Sequence, residues 1–383
     1  MYTRALVIYE QLLGSEHPDT ARSLDNLAHH YVQQGKYTKA EPVHIRALAV
    51  REQLLGGEHP DTALSLNNLA TLYSKQGKYA LAEPLHIRAL AIYEQQLGGK
   101  HPDTALSLNN LATLYSRQGK YSEAEALYIR ALAIHEQQLG DEHPDTALSL
   151  NNLAHLYSQQ GKYALAEPLY VRALAIHEQQ LGDEHPDTAH SLNNLASLYS
   201  KQGKHAQAEP VYIRALAIRE QHLGEKHLDT ALSLDNLASL YASQGKYTQA
   251  EPLYARALAI YEQQLGDEHL DTAHSLSNLA SLYSKQGKHA QAEPVYIRAL
   301  AIYEQQLGDE HLDTALSLNN LAHTYSKQGK YAEAASFYQR ALAIYGHVLG
   351  REHSQTQIVR KNYTYLLRRM GRDDEPKKLE EET

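Results

Sequence analysis

Residues 59–78, HPDTALSLNNLATLYSKQGK, hold the pattern that decides the fold, because close copies of this stretch return along nearly the whole chain. The opening His-Pro-Asp-Thr begins at His17, His59, His101, His143 and His185, and it continues as His-Leu-Asp-Thr at His227, His269 and His311. Each start lies 42 positions after the previous one. A fixed period in this range indicates a solenoid, in which each repeat buries its apolar face only by stacking on its neighbours.

Composition narrows the class of protein further. The 383 residues show no break in composition and include no cysteine, which excludes disulfides, thiolate zinc sites and cysteine nucleophiles. No apolar run approaches the length of a membrane span, and the first residues lack the layout of a signal peptide. We therefore expect one continuous array in the cytoplasm, with no membrane partner. The net charge of -9 argues against a nucleic-acid partner, which requires a dense basic face.

Each period reads as two helices. The buried face of the first helix is predicted by apolar residues at i, i+3, i+4 and i+7, which in the second repeat are Leu66, Leu69, Ala70 and Tyr73. Pro60 suits the first helical position, and Gly77 suits the left-handed turn that ends the helix. A second helix follows as far as Leu97, with Pro84 expected in its first turn, where a missing N–H is tolerated.

These features predict an all-α fold, a right-handed superhelical α-solenoid of stacked antiparallel helix pairs. Residues 1–16 read as a partial repeat with only its second helix, and residues 17–352 read as eight units of 42 residues. Residues 353–371 are predicted to form a capping helix, because its arginines and lysines suit an outer face in contact with water. Residues 372–383 read as a charged, disordered tail.

The repeat resembles a known family. Small residues at Ala70, Ala82 and Ala89, together with a tyrosine four positions before the glycine, match the tetratricopeptide repeat (TPR) pattern, although 42 residues exceed its usual length of about 34. The longer form is similar to the repeats of kinesin light chains and of related bacterial proteins. The match is carried by the segments 88–92, 97–98, 101–104, 108–112 and 118–121 and by their equivalents. The resemblance implies a protein-binding scaffold without catalytic activity.

One asparagine per repeat is the strongest functional signal. It stands at Asn26, Asn68, Asn110, Asn152, Asn194, Asn236, Asn278, Asn320 and Asn362. Because asparagine inside a helix costs about 0.5 kcal/mol relative to alanine, its recurrence on one face calls for a reason. In the tetratricopeptide pattern this position faces the concave groove, where an amide could bind the backbone of an extended peptide. The alternative is a side chain that bonds the neighbouring repeat.

Seven residues further on, the first helix carries a cation in five units: Lys75, Arg117, Lys201, Lys285 and Lys327. Since i and i+7 share a helical face, these cations are expected in the same groove, where they favour an extended, acidic peptide. The alternative is that each one simply complements its helix C-terminus.

Two further positions vary among the near-identical repeats. The residue before the ladder asparagine varies as Asp25, Asn67, Asn109, Asn151, Asn193, Asp235, Ser277 and Asn319. The residue three positions after the ladder asparagine is histidine, threonine or serine. Both positions are therefore predicted to read a ligand's side chains, with neutral drift as the competing account.

No enzyme, cofactor or metal site is predicted. The repeated histidine and aspartate pairs are spread along the array and do not converge as metal ligands must. Beside the peptide-binding scaffold, two function classes stay open: a sensor or oligomerisation module that forms the C-terminal array of a larger signalling protein, and an array with no specific ligand. Self-association through the uncapped N-terminal edge is expected as an additional property.

Overall fold

The computed structural model describes residues 2–372 and 374. Within them the secondary structure is helical throughout, and the chain divides into two compact units, Met1–Gly224 and Glu225–Thr383. The first unit contains α1 (Tyr2–Leu13), α2 (Pro18–Gln33), α3 (Tyr37–Leu55), α4 (Pro60–Lys75), α5 (Tyr79–Gln96), α6 (Pro102–Arg117), α7 (Tyr121–Gln138), α8 (Pro144–Gln159), α9 (Tyr163–Leu181), α10 (Pro186–Lys201) and α11 (His205–Leu223).

The second unit contains α12 (Leu228–Ser243), α13 (Tyr247–Leu265), α14 (Leu270–Lys285), α15 (His289–Leu307), α16 (Leu312–Gln328), α17 (Tyr331–Leu349) and α18 (Ser354–Arg369). The boundary between the units falls in the loop after α11, which has the same Leu-Gly sequence as the other loops. The boundary between the two units therefore could not be predicted from composition. Most of the tail predicted to be disordered, residue 373 and residues 375–383, lies outside the described residues.

The His-Pro-Asp-Thr motif is a device for starting a helix. The Nδ1 atom of His59 accepts a hydrogen bond of 3.1 Å from the backbone N–H of Asp61, so the imidazole satisfies one of the free amides of the first turn. The hydroxyl of Thr62 donates over 2.9 Å to the carbonyl of Gly56, at the end of the preceding helix. The same pair of contacts recurs in repeat after repeat and fixes the loop geometry.

Glycine is required where each first helix ends. Gly119 has a φ of +76°, and the N–H of Lys120 returns to the carbonyl of Tyr115 over 2.9 Å, a hydrogen bond that closes the helix end. The second helix then begins within two residues, at Tyr121. A prediction about the second helix was wrong: Pro84 is the sixth residue of α5 and not part of its first turn. Pro84 is exposed, and so is Ala80, the residue whose carbonyl loses its helical hydrogen bond there.

The core of each repeat lies where the two helices and the next first helix meet. Ala70, Ala82 and Ala89 have no accessible surface, as expected for positions where backbones approach closely. Leu66 is fully buried and packs in one cluster with Ala89, Ile92 and Tyr93. Stacking thus buries the apolar stripe that a single helix pair would leave exposed.

Ion pairs join the second helices of successive repeats. Arg88 lies 2.7 Å from Glu52, and the same pair recurs as Arg130 with Glu94. These side chains are about 40% exposed, so each pair contributes about 0 to 1 kcal/mol. These ion pairs help to fix the alignment of successive second helices, because a shift of one helix along its neighbour would break the pairs between them.

Candidate functional site

The exposed side of the first helices forms a surface that we call the first-helix face. In α4 it consists of Asp61, Leu64, Asn68, Thr71 and Lys75, whose spacings of 3, 4, 3 and 4 residues place them on one side of the helix. The equivalent positions of the other first helices carry the same or similar residues. The residues that were expected to line a groove, an asparagine and a cation in each unit, therefore do share one face.

The ladder asparagines are partly or well exposed on this face. In the first unit they are Asn26, Asn68, Asn110, Asn152 and Asn194, and in the second unit Asn236, Asn278, Asn320 and Asn362. Asn320 accepts a 3.4 Å hydrogen bond from Asn319, and Asn362 donates a 3.4 Å hydrogen bond to Asn319. The side-chain amides of the other seven make no hydrogen bond within the part of the chain that the structure describes. Their donors and acceptors are therefore available to a ligand.

The neighbouring asparagines have the opposite environment. Asn67 is only 5% exposed: its Nδ2 donates to Ser107 of the next repeat over 3.3 Å, and its Oδ1 accepts from Nδ1 of His86 over 2.8 Å. Burial lowers the pKa of His86 to about 4, so the imidazole stays neutral at physiological pH. Asn67 therefore binds two repeats together and does not reach the first-helix face.

The equivalent asparagines of the next three repeats are also buried. Asn109 donates to Ser149 over 3.1 Å and Asn151 donates to Ser191 over 3.2 Å, while the buried Asn193 donates to a carbonyl of its own helix, that of Ala189. The expectation that Asn67, Asn109, Asn151 and Asn193 read a ligand thus needs correction, since a helix turns about 100° per residue and carries them into the repeat interface. We remove them from the candidate site.

The predicted cations lie along the first-helix face, next to serines of the preceding repeat. Lys201 donates to the hydroxyl of Ser158 over 3.3 Å, and Arg117 approaches the hydroxyl of Ser74 at 3.5 Å. Among the described residues, no carboxylate lies within ion-pairing distance of Arg117, Lys201, Lys285 or Lys327. Their charge is therefore not neutralised by any carboxylate of the described residues.

Cations elsewhere in the same repeats are neutralised. Lys120, three residues after Arg117, lies 3.1 Å from Glu83 and 5.0 Å from the ring centroid of Tyr115. Lys204, three residues after Lys201, lies 3.0 Å from Glu167. If the cations only complemented helix ends, the cations of the first-helix face would have no reason to differ from Lys120 and Lys204. The contrast therefore favours a ligand-binding role for the cations of the first-helix face.

Two histidines next to these cations have lowered pKa values. His155 lies on the first-helix face, where desolvation by the surrounding protein lowers its pKa and the charge of Lys201 lowers it further. In the second unit, desolvation and then the charge of Lys327 lower the pKa of His323. Both imidazoles thus favour the neutral form and can donate or accept a hydrogen bond.

In the second unit the first-helix face opens onto a cavity of about 300 Å³. The lining residues are Ser281, Ser284, Lys285, Tyr296, Asn319, Asn320, His323 and Asn362. Two ladder asparagines, a cation and a variable histidine therefore surround one space. These are the residue types that the sequence grouped as a binding surface.

A row of exposed leucines was missed by the sequence analysis. Leu64 is 44% exposed on the first-helix face, one turn before Asn68, and the row continues with Leu106 and Leu148 in the first unit and with Leu232 and Leu316 in the second. Counting back four residues from each ladder asparagine would have found it. The row adds an apolar strip beside the amides and cations.

The N-terminal edge also exposes apolar side chains. On α1, Val7, Ile8 and Leu13 are each more than 40% exposed, and Leu12 is 76% exposed. Self-association through this edge stays a prediction. Within the described residues, no three histidine, aspartate or glutamate side chains converge as metal ligands, and no helix is both long and apolar enough to cross a membrane.

Consecutive helix pairs with a repeated exposed face define a class, the helical-repeat scaffolds. The family model described as "Tetratricopeptide repeat" matches overlapping segments from residues 1–43 to 313–375. The chain therefore belongs to the tetratricopeptide repeat family, as predicted, and this repeat is a scaffold typical of protein–protein interaction. No curated protein sequence matches the chain significantly.

Similar solved structures include kinesin light chain proteins. One is the kinesin light chain with nearly identical TPR-like repeats from Podosopora anserina, at 29% identity over 54% of this chain and 98% of that chain, with a TM-score of 0.45. BtubC (BKLC) from P. vanneervenii shows 26% identity over 62% and 92%, with a TM-score of 0.47. Rap protein complexed with Competence and Sporulation Factor shares the fold at 16% identity over 93% and 99%, with a TM-score of 0.52.

Proposed function

We propose that the chain is a non-catalytic, cytoplasmic protein-interaction scaffold whose first-helix face binds an extended, acidic peptide segment. The observation that carries this proposal is the difference between adjacent asparagines. Asn67, Asn109 and Asn151 donate hydrogen bonds to serines of the next repeat. The amides of Asn68, Asn110 and Asn152, one position further on, have no hydrogen-bond partner among the described residues and lie on an exposed face. A structural role is thus already filled, and the ladder asparagines are left for a ligand.

The chemistry of the face indicates how such a peptide would be held. Each free amide can donate to a carbonyl and accept from an N–H of an extended backbone, which gives affinity without selecting side chains. The unpaired cations Arg117 and Lys201 attract carboxylates, and the exposed Leu106 and Leu148 offer apolar contact on the other side. Variable side chains such as His155 would select among the side chains of the bound peptide.

Peptide selection tests the proposal directly. A random peptide library is displayed against the purified chain and against a variant with Asn110, Asn152 and Asn194 changed to alanine. We expect the wild type to enrich acidic peptides, and we expect the triple variant to lose at least tenfold in affinity for them. The triple variant should stay fully helical and melt at the same or a slightly higher temperature, because these side chains make no hydrogen bond in the described structure and alanine is the better helix former.

A matched pair of charge variants separates specific binding from general attraction. Arg117→Ala with Lys201→Ala removes two charges from the first-helix face, and Lys120→Ala with Lys204→Ala removes two charges only three residues away that are paired with glutamates. Only the first variant should weaken binding, by about fivefold or more. Equal losses would contradict the proposal, and enrichment of no peptide would favour the array without a specific ligand.

A further inference from the structure

Two cations of the first-helix face stand in alternate repeats of the first unit. Arg117 ends α6, and Lys201 ends α10, two periods of 42 residues further on. Gln159 occupies the equivalent position at the end of α8, between them. Lys75, one repeat before Arg117, is partly buried and takes part in an interaction within the chain. The first-helix face therefore presents two exposed positive charges with a neutral side chain in the middle.

The neutral position is held by contacts within the chain. The Nε2 atom of Gln159 lies 3.0 Å from Nε2 of His155, and its Oε1 accepts a 2.8 Å hydrogen bond from the hydroxyl of Ser116. Both polar atoms of this amide thus have a partner. Among the described residues, the polar contacts of Arg117 and Lys201 go to serine oxygens of the preceding repeat, which leave the positive charge unpaired.

The first-helix face is acidic at its other end. Asp103 and Asp187 precede Arg117 and Lys201 by 14 residues on the same helices, which is about 21 Å along the helix axis. An acidic peptide is therefore attracted to the C-terminal ends of the first helices and repelled from their N-terminal ends. Such a peptide crosses the helices at the level of the cations and runs from repeat to repeat.

The spacing of the first helices sets which peptide residues meet the two cations. Side-chain hydrogen bonds join α6 to α8 and α8 to α10, so successive first helices are neighbours. Since packed helices lie about 8 to 10 Å apart, α6 and α10 are about 16 to 20 Å apart. An extended peptide rises about 3.3 Å per residue, so about five or six residues cover this distance.

The alternation of side chains decides between five and six. In an extended strand, residues i and i+6 point to the same side, whereas residues i and i+5 point to opposite sides. On the basis of the proposed function, we propose that the first-helix face selects peptides with two acidic residues six positions apart, one on Arg117 and the other on Lys201. The peptide residue halfway between them crosses Gln159 with its side chain turned away from the face.

A peptide library of fixed charge tests the spacing. Each short peptide carries two glutamates, at every possible spacing, among random neutral residues, and a matched library carries glutamines at the same positions. Both libraries are displayed against the purified full chain. We expect glutamates six positions apart to be enriched at least about threefold over glutamates five or seven apart, because the other spacings lose one exposed ion pair.

A charge-shift variant shows whether the two cations set the spacing. Gln159→Lys combined with Lys201→Gln brings one cation a repeat closer to Arg117 and leaves the net charge unchanged. The variant should stay helical, because both side chains are exposed. The enrichment at six positions should disappear, and spacings of two or four should gain, since neighbouring first helices are about 8 to 10 Å apart.

A matched control removes two cations at the same separation. Lys120 and Lys204 also stand two repeats apart, but they pair with Glu83 and Glu167. Lys120→Gln combined with Lys204→Gln should therefore keep the preference for six positions.

The possible failures of the spacing and of the proposed function differ in their results. Equal enrichment of all glutamate spacings would overturn the spacing and leave the proposed function standing. Enrichment at six positions that survives in the charge-shift variant would also overturn it, because the preference would then not depend on Lys201. No enrichment of glutamate peptides over glutamine peptides would refute the proposed function itself, and the spacing with it.

Discussion

The carboxylate of Asp235 gives a sharp test of the buried polar layer between repeats. Asp235 occupies the position that is Asn67 in the second repeat, and it is only 7% exposed. It accepts a 3.3 Å hydrogen bond from the hydroxyl of Ser275. No cation lies within ion-pairing distance among the described residues, so the ionised form is disfavoured there.

Burial raises the pKa of Asp235 from 3.8 to about 7, which is about three pKa units. At about 1.4 kcal/mol per unit, ionisation in the folded state costs the second unit about 4 kcal/mol. The sign follows from the direction of the shift. Near pH 4 the folded state keeps the proton and little stability is lost, whereas the loss grows as the pH rises from about 4 to about 7 and is complete above that.

We therefore expect Asp235→Asn to stabilise the second unit by up to about 4 kcal/mol at pH 8 and by almost nothing at pH 4. The amide keeps an oxygen that accepts from Ser275, as the asparagines of other repeats keep their serine contacts. Amide hydrogen exchange of α12 to α14 measures the local stability, with wild type and variant compared at the same pH. Chemical unfolding of the whole array is less suited, because repeat arrays do not unfold in two states.

Asp25 provides the matched control, because it occupies the same position in the first repeat but pairs with Arg51 and His44. Asp25→Asn should destabilise its unit by about 3 to 5 kcal/mol at pH 8, since it leaves a buried arginine unpaired. The reasoning would be refuted if Asp235→Asn gave the same gain at pH 4 and pH 8. It would also be refuted if both variants shifted stability in the same direction.

Three further predictions concern single positions in the first unit. Asn67→Ala should lower local stability by about 1 to 3 kcal/mol, because it leaves the His86 imidazole and the Ser107 hydroxyl without this partner, whereas Asn68→Ala should stay within about 0.5 kcal/mol. Amide hydrogen exchange of α4 to α6 in both variants decides this. His101→Ala should cost about 1 kcal/mol through loss of the helix cap, visible as faster amide exchange at the start of α6. Gly119→Ala should cost about 1 to 2 kcal/mol although nothing lies near the added methyl group, and Gly119→Asn should cost less, since asparagine tolerates positive φ; equal melting temperatures for the two would contradict the backbone argument.

The sequence predicted the helix pairs because three independent signals agreed. The apolar spacing of Leu66, Leu69 and Tyr73, the proline at Pro60 and the glycine at Gly77 all place the first helix where it is found. Pro84 misled because the second helix begins close to Gly77, at Tyr79, and this leaves the proline beyond the first turn. The helix tolerates the missing N–H because Pro84 is exposed, and its position in the sequence did not show that exposure.

Only part of the first-helix face could be predicted from the sequence. Asn67 and Asn68 are the same residue type side by side, and nothing in their chemistry shows which one points into the repeat interface. The decision depends on the rotation of α4 against α5 and α6, which is a property of packing between repeats. Leu64 was missed because its residue type does not show whether it is exposed, and its spacing of four residues from Asn68 was not used.

The serine at the interface between repeats has a consequence for how such an array can change length. In the first unit Ser65, Ser107, Ser149 and Ser191 receive the contacts of the preceding repeat, whether the partner is arginine, asparagine or histidine. The variable partners belong to one repeat and the constant serine to the next. A gain or loss of one 42-residue segment by unequal recombination would therefore join surfaces that already fit, so the array can grow or shrink without inventing a new interface.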